Sequence, residues 1–144
     1  MRLVNHVDIA SHGAKYIADL RRIDCLVNNA GGQFASPLEK ISAKGWETVV
    51  RTNLTGGFLV ARECYTQWMK AAGAGAIVNM SSVNGVMAIP SIASYNVSKG
   101  GVDQLTRVMA LVAMSRTNTS STRFVSLATR LDRSLVNATS WPVP

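Results

Sequence analysis

Residues 76–99 read AIVNMSSVNGVMAIPSIASYNVSK. The run AIVNM, Ala76 to Met80, is continuously apolar apart from one asparagine, the pattern of a strand buried on both faces of a parallel sheet. It stops at Ser81-Ser82, and Val83 to Pro90 form a loop. Ser91 offers a helix cap. Beyond it Tyr95, Val97, Val102, Leu105, Val108, Met109 and Val112 recur at helical spacing. A strand that hands over to a long amphipathic helix through a short loop is half of a βαβ unit, and it decides for an α/β fold.

The same stretch proposes chemistry. Ser82 ends the strand, Tyr95 follows thirteen residues later, and Lys99 stands four residues after that. Residues four apart on a helix share a face at about 6 Å, so a phenol and an ammonium there can touch one bound molecule. A cation beside a phenol favours its ionised form. A phenol so poised, with a serine hydroxyl near it, can protonate a carbonyl oxygen while a hydride arrives from a cofactor. A Tyr-x-x-x-Lys pair also arises by chance in many chains, so the pair alone decides little.

Upstream, IDCLV from Ile23 to Val27 is a second apolar, strand-like run. It breaks at Asn28-Asn29-Ala30-Gly31-Gly32, a small polar turn of the kind that binds ligands at the carboxyl ends of α/β strands. PLEKI, Pro37 to Ile41, reads as a short helix with proline at its start. Ser42 caps a longer helix expected over Ala43 to Ala72, with Trp46, Val49, Val50, Leu54, Phe58 and Leu59 as its apolar stripe. Asn53 lies within that stripe. A polar amide on a packed face needs hydrogen-bond partners, which a bound water or a neighbouring carbonyl would supply. Gly56 and Gly57 in the helix interior, and Gly100 and Gly101 in the later helix, point to close packing or a bend. AAGAGA, Ala71 to Ala76, reads as a helix end with a glycine cap and a loop.

Taken in order, Asn28-Asn29-Ala30-Gly31, Asn53, Ser82, Tyr95 and Lys99 resemble the short-chain dehydrogenase/reductase family, over about Ile23 to Leu111. That resemblance implies a partial Rossmann-like, doubly wound parallel sheet of the α/β class, lacking the first βαβ unit and the carboxyl-terminal strands. It implies Ser82, Tyr95, Lys99 and Asn53 as the catalytic set, with Asn53 holding a relay water. Asn28, Ala30, Gly31, Tyr95 and Lys99 would bind the cofactor, NADP or NAD with NADPH ahead, and Lys99 would hold the nicotinamide ribose. The implied activity is reduction of a carbonyl or oxidation of an alcohol. The segment GGQFASPLEKISAKGWETVVRTNLTG resembles the 2-enoyl-CoA and 3-oxoacyl reductase branch, which makes an acyl thioester a candidate substrate. A homo-oligomer formed through the two long helices is implied as well.

The ends depart from that family. Its members run to roughly 250 residues, whereas this chain has 144. Residues 1–22 hold one glycine, Gly13, and no TGxxxGxG turn for a pyrophosphate. VNHVDI there could form a strand, and Ala14 to Arg22 a helix. Residues 112–144 carry 11 Ser or Thr in 33 positions and no glycine. This tail reads as the product of a frameshift or a foreign end, or as a divergent tail in which RFVSLA, Arg123 to Ala128, replaces a family strand. The expected segments are therefore 1–22, a catalytic core at 23–111, and the tail. A truncated, catalytically inactive remnant that docks on an intact relative is the alternative to a working enzyme.

Net charge is +7, spread as +2, +2 and +3 over those three segments, without a basic cluster interleaved with aromatics. A nucleic-acid partner is not expected. No apolar run of membrane-spanning length occurs, and no signal peptide is recognised, so the expected location is the cytoplasm. Cys25 and Cys64 read as buried thiols, and His6 and His12 lack a metal-ligand pattern.

Overall fold

The computed structural model describes residues 3–5, 22–116 and 121–127. Four parallel strands make one sheet in the order β1 (Leu3–Asn5), β2 (Cys25–Asn28), β3 (Ala74–Met80) and β4 (Ser121–Leu127). Leu3 pairs with Cys25, Asn28 with Asn79, and Met80 with Leu127. Each strand is the neighbour of the next in sequence. The sheet is therefore a single sequential run of parallel strands, as in one half of a Rossmann-like winding.

The α/β class stands as expected, and two strands flank the expected central pair. Leu3–Asn5 falls at the start of the segment holding VNHVDI. Ser121–Leu127 takes in most of the RFVSLA run and pairs with β3 along its full seven residues. Residues 14–21 of the expected amino-terminal helix lie outside the described residues. β3 begins at Ala74, two residues before the apolar run suggests, because the backbone of Ala74 and Gly75 already pairs with Ser121 and Thr122.

The first long helix, α1, spans residues 43–72 as expected, but it is not uniform. Ser42 caps it, its Oγ accepting from the Gly45 N–H at 3.1 Å. Regular turns at Ala43–Val50, Gly56–Cys64 and Lys70–Ala72 are separated by π-helical turns at Arg51–Thr55 and Tyr65–Met69. A π turn inserts one residue into the helical ladder, which rotates everything after it. The expected stripe is therefore overturned beyond Leu54: Phe58 and Leu59 are 37% and 41% exposed. Gly57, Val60, Ala61 and Cys64 face the core in their place. Gly73, at φ 61, ends the helix in the left-handed conformation that glycine adopts without strain.

The second long helix, α2, is Ala93–Arg116. Ser91 does not cap it. Ile92 O accepts the first helical bond, from Asn96 N at 3.0 Å, and Ser91 sits one residue outside at φ 66. The core gathers between sheet and helices around Leu26, Val60, Ala61, Cys64, Met69 and Ile77. Burial pushes the Cys64 thiol up to about 12. Neither cysteine is in a disulfide.

Candidate active site

The carboxyl ends of β2 and β3, the first π turn of α1 and the start of α2 converge on one place. Tyr95 and Lys99 share a face of α2, and the Lys99 ammonium lies 5.6 Å from the centre of the Tyr95 ring. Lys99 is only 6% exposed. Its Nζ donates to the Met80 carbonyl at 2.6 Å, and its own carbonyl accepts from Ser81 Oγ at 3.2 Å. Two bonds thus tie the helix to Met80, the last residue of β3, and to Ser81 just beyond it, with Ser82 next in the chain. Burial lowers the Lys99 pKa from its ordinary value, and the Asp103 carboxylate opposes that shift in part.

Ser82 is the pivot between β3 and a 3₁₀ turn at Val83–Gly85. Its Oγ accepts from the Asn84 N–H at 3.2 Å, which leaves the hydroxyl hydrogen available to donate. The loop that follows is held in place: Met87 N donates to Val83 O, Asn96 Nδ2 to Ile89 O, and Ser36 N to Ser91 O.

Asn53 sits inside the π turn and is 4% exposed. Both of its Nδ2 hydrogens are committed, one to Gly32 O at 3.0 Å and one to Ser98 Oγ at 2.9 Å. Its Oδ1 accepts from Gly32 N at 2.8 Å. The side chain therefore clamps the Asn29–Gly32 turn onto α1 and α2, and any water it holds must use the remaining Oδ1 lone pair or the backbone. Gly31 lies under the same clamp, since a β-carbon there would come within 3.2 Å of Asn53 Oδ1 and 3.6 Å of Lys99 Nζ. Ala30 is half-buried on the same turn.

Asn28 points inward. Its Nδ2 donates to Gly57 O at 3.1 Å and to Asn79 Oδ1 at 2.8 Å. Asn79 donates in turn to Thr106 Oγ1 at 2.9 Å, and Thr106 to Val102 O at 2.7 Å. This buried chain braces β2, β3, α1 and α2 behind the turn.

Three of these residues escape the sequence reading. Ser98 is fully buried, and its hydroxyl donates to Tyr95 O at 2.8 Å while accepting from Asn53. Asn79 and Thr106 are the other two. The signal for Asn79 exists in the sequence, as the one polar residue of AIVNM, and the structure pairs it in register with Asn28. Among the described residues no helix is long and apolar enough to cross a membrane. Nor do three or more His, Cys, Asp or Glu side chains gather as metal ligands there.

Comparison with known proteins identifies the family. A family model described as short chain dehydrogenase matches residues 4–125. Gluconate 5-dehydrogenase of Gluconobacter oxydans (strain 621H) is 42% identical over 92 residues, 64% of this chain and 36% of that protein. A 3beta-hydroxysteroid dehydrogenase 1 of Eggerthella lenta is 39% identical over 89 residues, covering 62% and 34%. Among solved structures, a gluconate 5-dehydrogenase from Burkholderia cenocepacia J2315 in complex with NADP and tartrate superposes with a TM-score of 0.72. Its identity is 34%, over 85% of this chain and 46% of that one. The chain thus spans about a third of the length of the curated relatives it matches.

Proposed function

Because the chain belongs to the short-chain dehydrogenase family, we propose that its site interconverts a ketone and a secondary alcohol with NADP or NAD as partner. The observation that carries this reading is the Lys99 ammonium, 5.6 Å from the Tyr95 ring and bonded to the carbonyl of Met80, two residues before Ser82.

The residues present fit the nicotinamide-ribose end of such a cofactor. Lys99 has three N–H donors, one given to Met80 O. The Gly31 position, where a β-carbon would crowd Lys99 and Asn53, keeps the turn low beside it. When bound, the dinucleotide would supply or accept the hydride. NADP is favoured by its presence in the Burkholderia relative.

The chain's own residues do the rest. Ser82 Oγ donates a hydrogen bond to the substrate oxygen and fixes it. Tyr95 passes its hydroxyl proton to that oxygen in reduction and takes it back in oxidation. Lys99 offsets the charge left on the phenol and holds the ribose. Asn53 keeps the Asn29–Gly32 turn in register and places a relay water through its remaining acceptor capacity. The substrate is a small carbonyl or alcohol compound. Relatives named for gluconate and a 3β-hydroxysteroid support that class, and a 3-oxoacyl thioester presents the same ketone.

The test has two stages. Thermal unfolding with and without NADPH or NADH should show a cooperative transition raised by one of them. NADPH-dependent reduction of a panel of ketones should then be lost, by at least about 10²-fold, in Tyr95→Phe. Near-normal turnover of that variant would remove Tyr95 from the proton step.

A further inference from the structure

Behind the Asn28–Gly32 turn lies a cavity of about 10 Å³, lined by Asn28, Asn53 and Asn79 together with Gly57, Val102 and Leu105. That is about the space one water molecule needs, provided polar groups face it. The three asparagines are all buried, none more than 6% exposed. The orientation of the Asn28 amide is fixed by its neighbours. Its two hydrogens go to oxygens, Gly57 O and Asn79 Oδ1, and a flipped amide would set oxygen against oxygen. Its Oδ1 is enclosed and accepts from no donor of the protein. A buried carbonyl of this kind loses its hydration on folding unless a donor replaces it.

We infer that this cavity is a binding site for one structural water, which donates to Asn28 Oδ1. Tyr95, Lys99 and Ser82 do not line the space, so this water is separate from the relay water assigned to Asn53. The inference stands whether or not the site catalyses hydride transfer. The water completes the chain of buried amides that runs from Gly57 through Asn28 and Asn79 to Thr106, and so holds the strand end from which the Asn29–Gly32 turn departs.

Gly57→Ala tests the site by the sign of its effect. A β-carbon on Gly57 would lie 3.8 Å from Asn28 Nδ2, an ordinary contact, so the methyl group fits the cavity wall. In a dry cavity the substitution should raise Tm, because alanine is the better helix former and the methyl fills space. With the water in place, the methyl displaces it and strands Asn28 Oδ1, and Tm falls. The expected result is a lower Tm, and a higher one overturns the proposal. A crystal structure of the unaltered protein gives the second readout. A density peak about 2.6–3.2 Å from Asn28 Oδ1 is expected, and a clear map without one overturns the proposal.

Discussion

Lys99 is charged in a place that does not favour charge. Only 6% of it meets solvent, and the bond to Met80 O returns part of the hydration it loses. Its folded pKa lies below the ordinary 10.5, with burial as the chief cause. Between that lowered value and 10.5 the unfolded chain holds the proton and the native one does not, so this residue makes stability rise with pH in that window. Against a Lys99→Met variant, which cancels the other titrations, the unfolding free energy of the unaltered protein should gain as pH climbs through the window. A flat or falling difference in denaturant titrations would show that the charge is not penalised. Lys99, Tyr95, Ser82 and Asn53 are legible in the sequence because their spacing and order form a pattern. Ser98 and Thr106 are not, and Asn79 shows only as a polar residue in an apolar run, because one polar residue on an apolar periodicity carries no mark of where its partner lies. Their partners come from other elements, at separations of 27 to 51 residues in the chain.

Among the elements, the turn at Val83–Gly85 packs its backbone close against that of α2. A β-carbon on Gly85 would meet the Lys99 backbone at 2.9 Å and the Gly100 nitrogen at 3.0 Å, besides Asp103 Oδ2 at 2.7 Å. Backbone cannot swing aside as a side-chain tip can. Gly85→Ala should therefore push the turn away from α2, lowering stability by about 1–3 kcal/mol and displacing Ser82 at the turn's start. Urea unfolding together with ketone reduction checks this, and a variant of unchanged stability would mean the contact is looser than described. The strands and helices themselves were readable: β2 and β3 from their apolar runs, α1 from its cap at Ser42 and its glycine end at Gly73. The π turns were not. One inserted residue leaves the composition of the stripe intact while rotating Phe58 and Leu59 outward, so a 3.6-residue pattern misplaces them. Ser91 misled for a similar reason, since a cap-type residue only caps when its backbone is extended, and at φ 66 it is not.

At the scale of the whole molecule, α1 and α2 enclose between them an apolar groove of about 210 Å³, floored by the buried Ala61 and lined by Phe58, Tyr65, Val108, Met109 and Val112. Of its lining, Phe58, Val108 and Val112 are 37%, 55% and 47% exposed, and Leu59 and Leu111 on the same two helices are 41% and 61% exposed. Among the described residues that line it, Arg62 is the charged one, its guanidinium 5.7 Å from the centre of the Phe58 ring. Large apolar side chains left contiguous on a folded surface mark an interaction face. Two antiparallel helices related by a two-fold axis would cover the same residues on both copies. The expectation is a homo-oligomer joined through α1 and α2, with each copy's groove filled by the other's Val108 and Leu111. Static light scattering at micromolar concentration should then return at least twice the chain mass of 15.4 kDa. Val108→Lys places an ammonium in the groove and should return the single mass, with the circular dichroism of the helices retained. A single mass for the unaltered protein would sink the self-association. A doubled mass that survives the lysine would place the interface elsewhere.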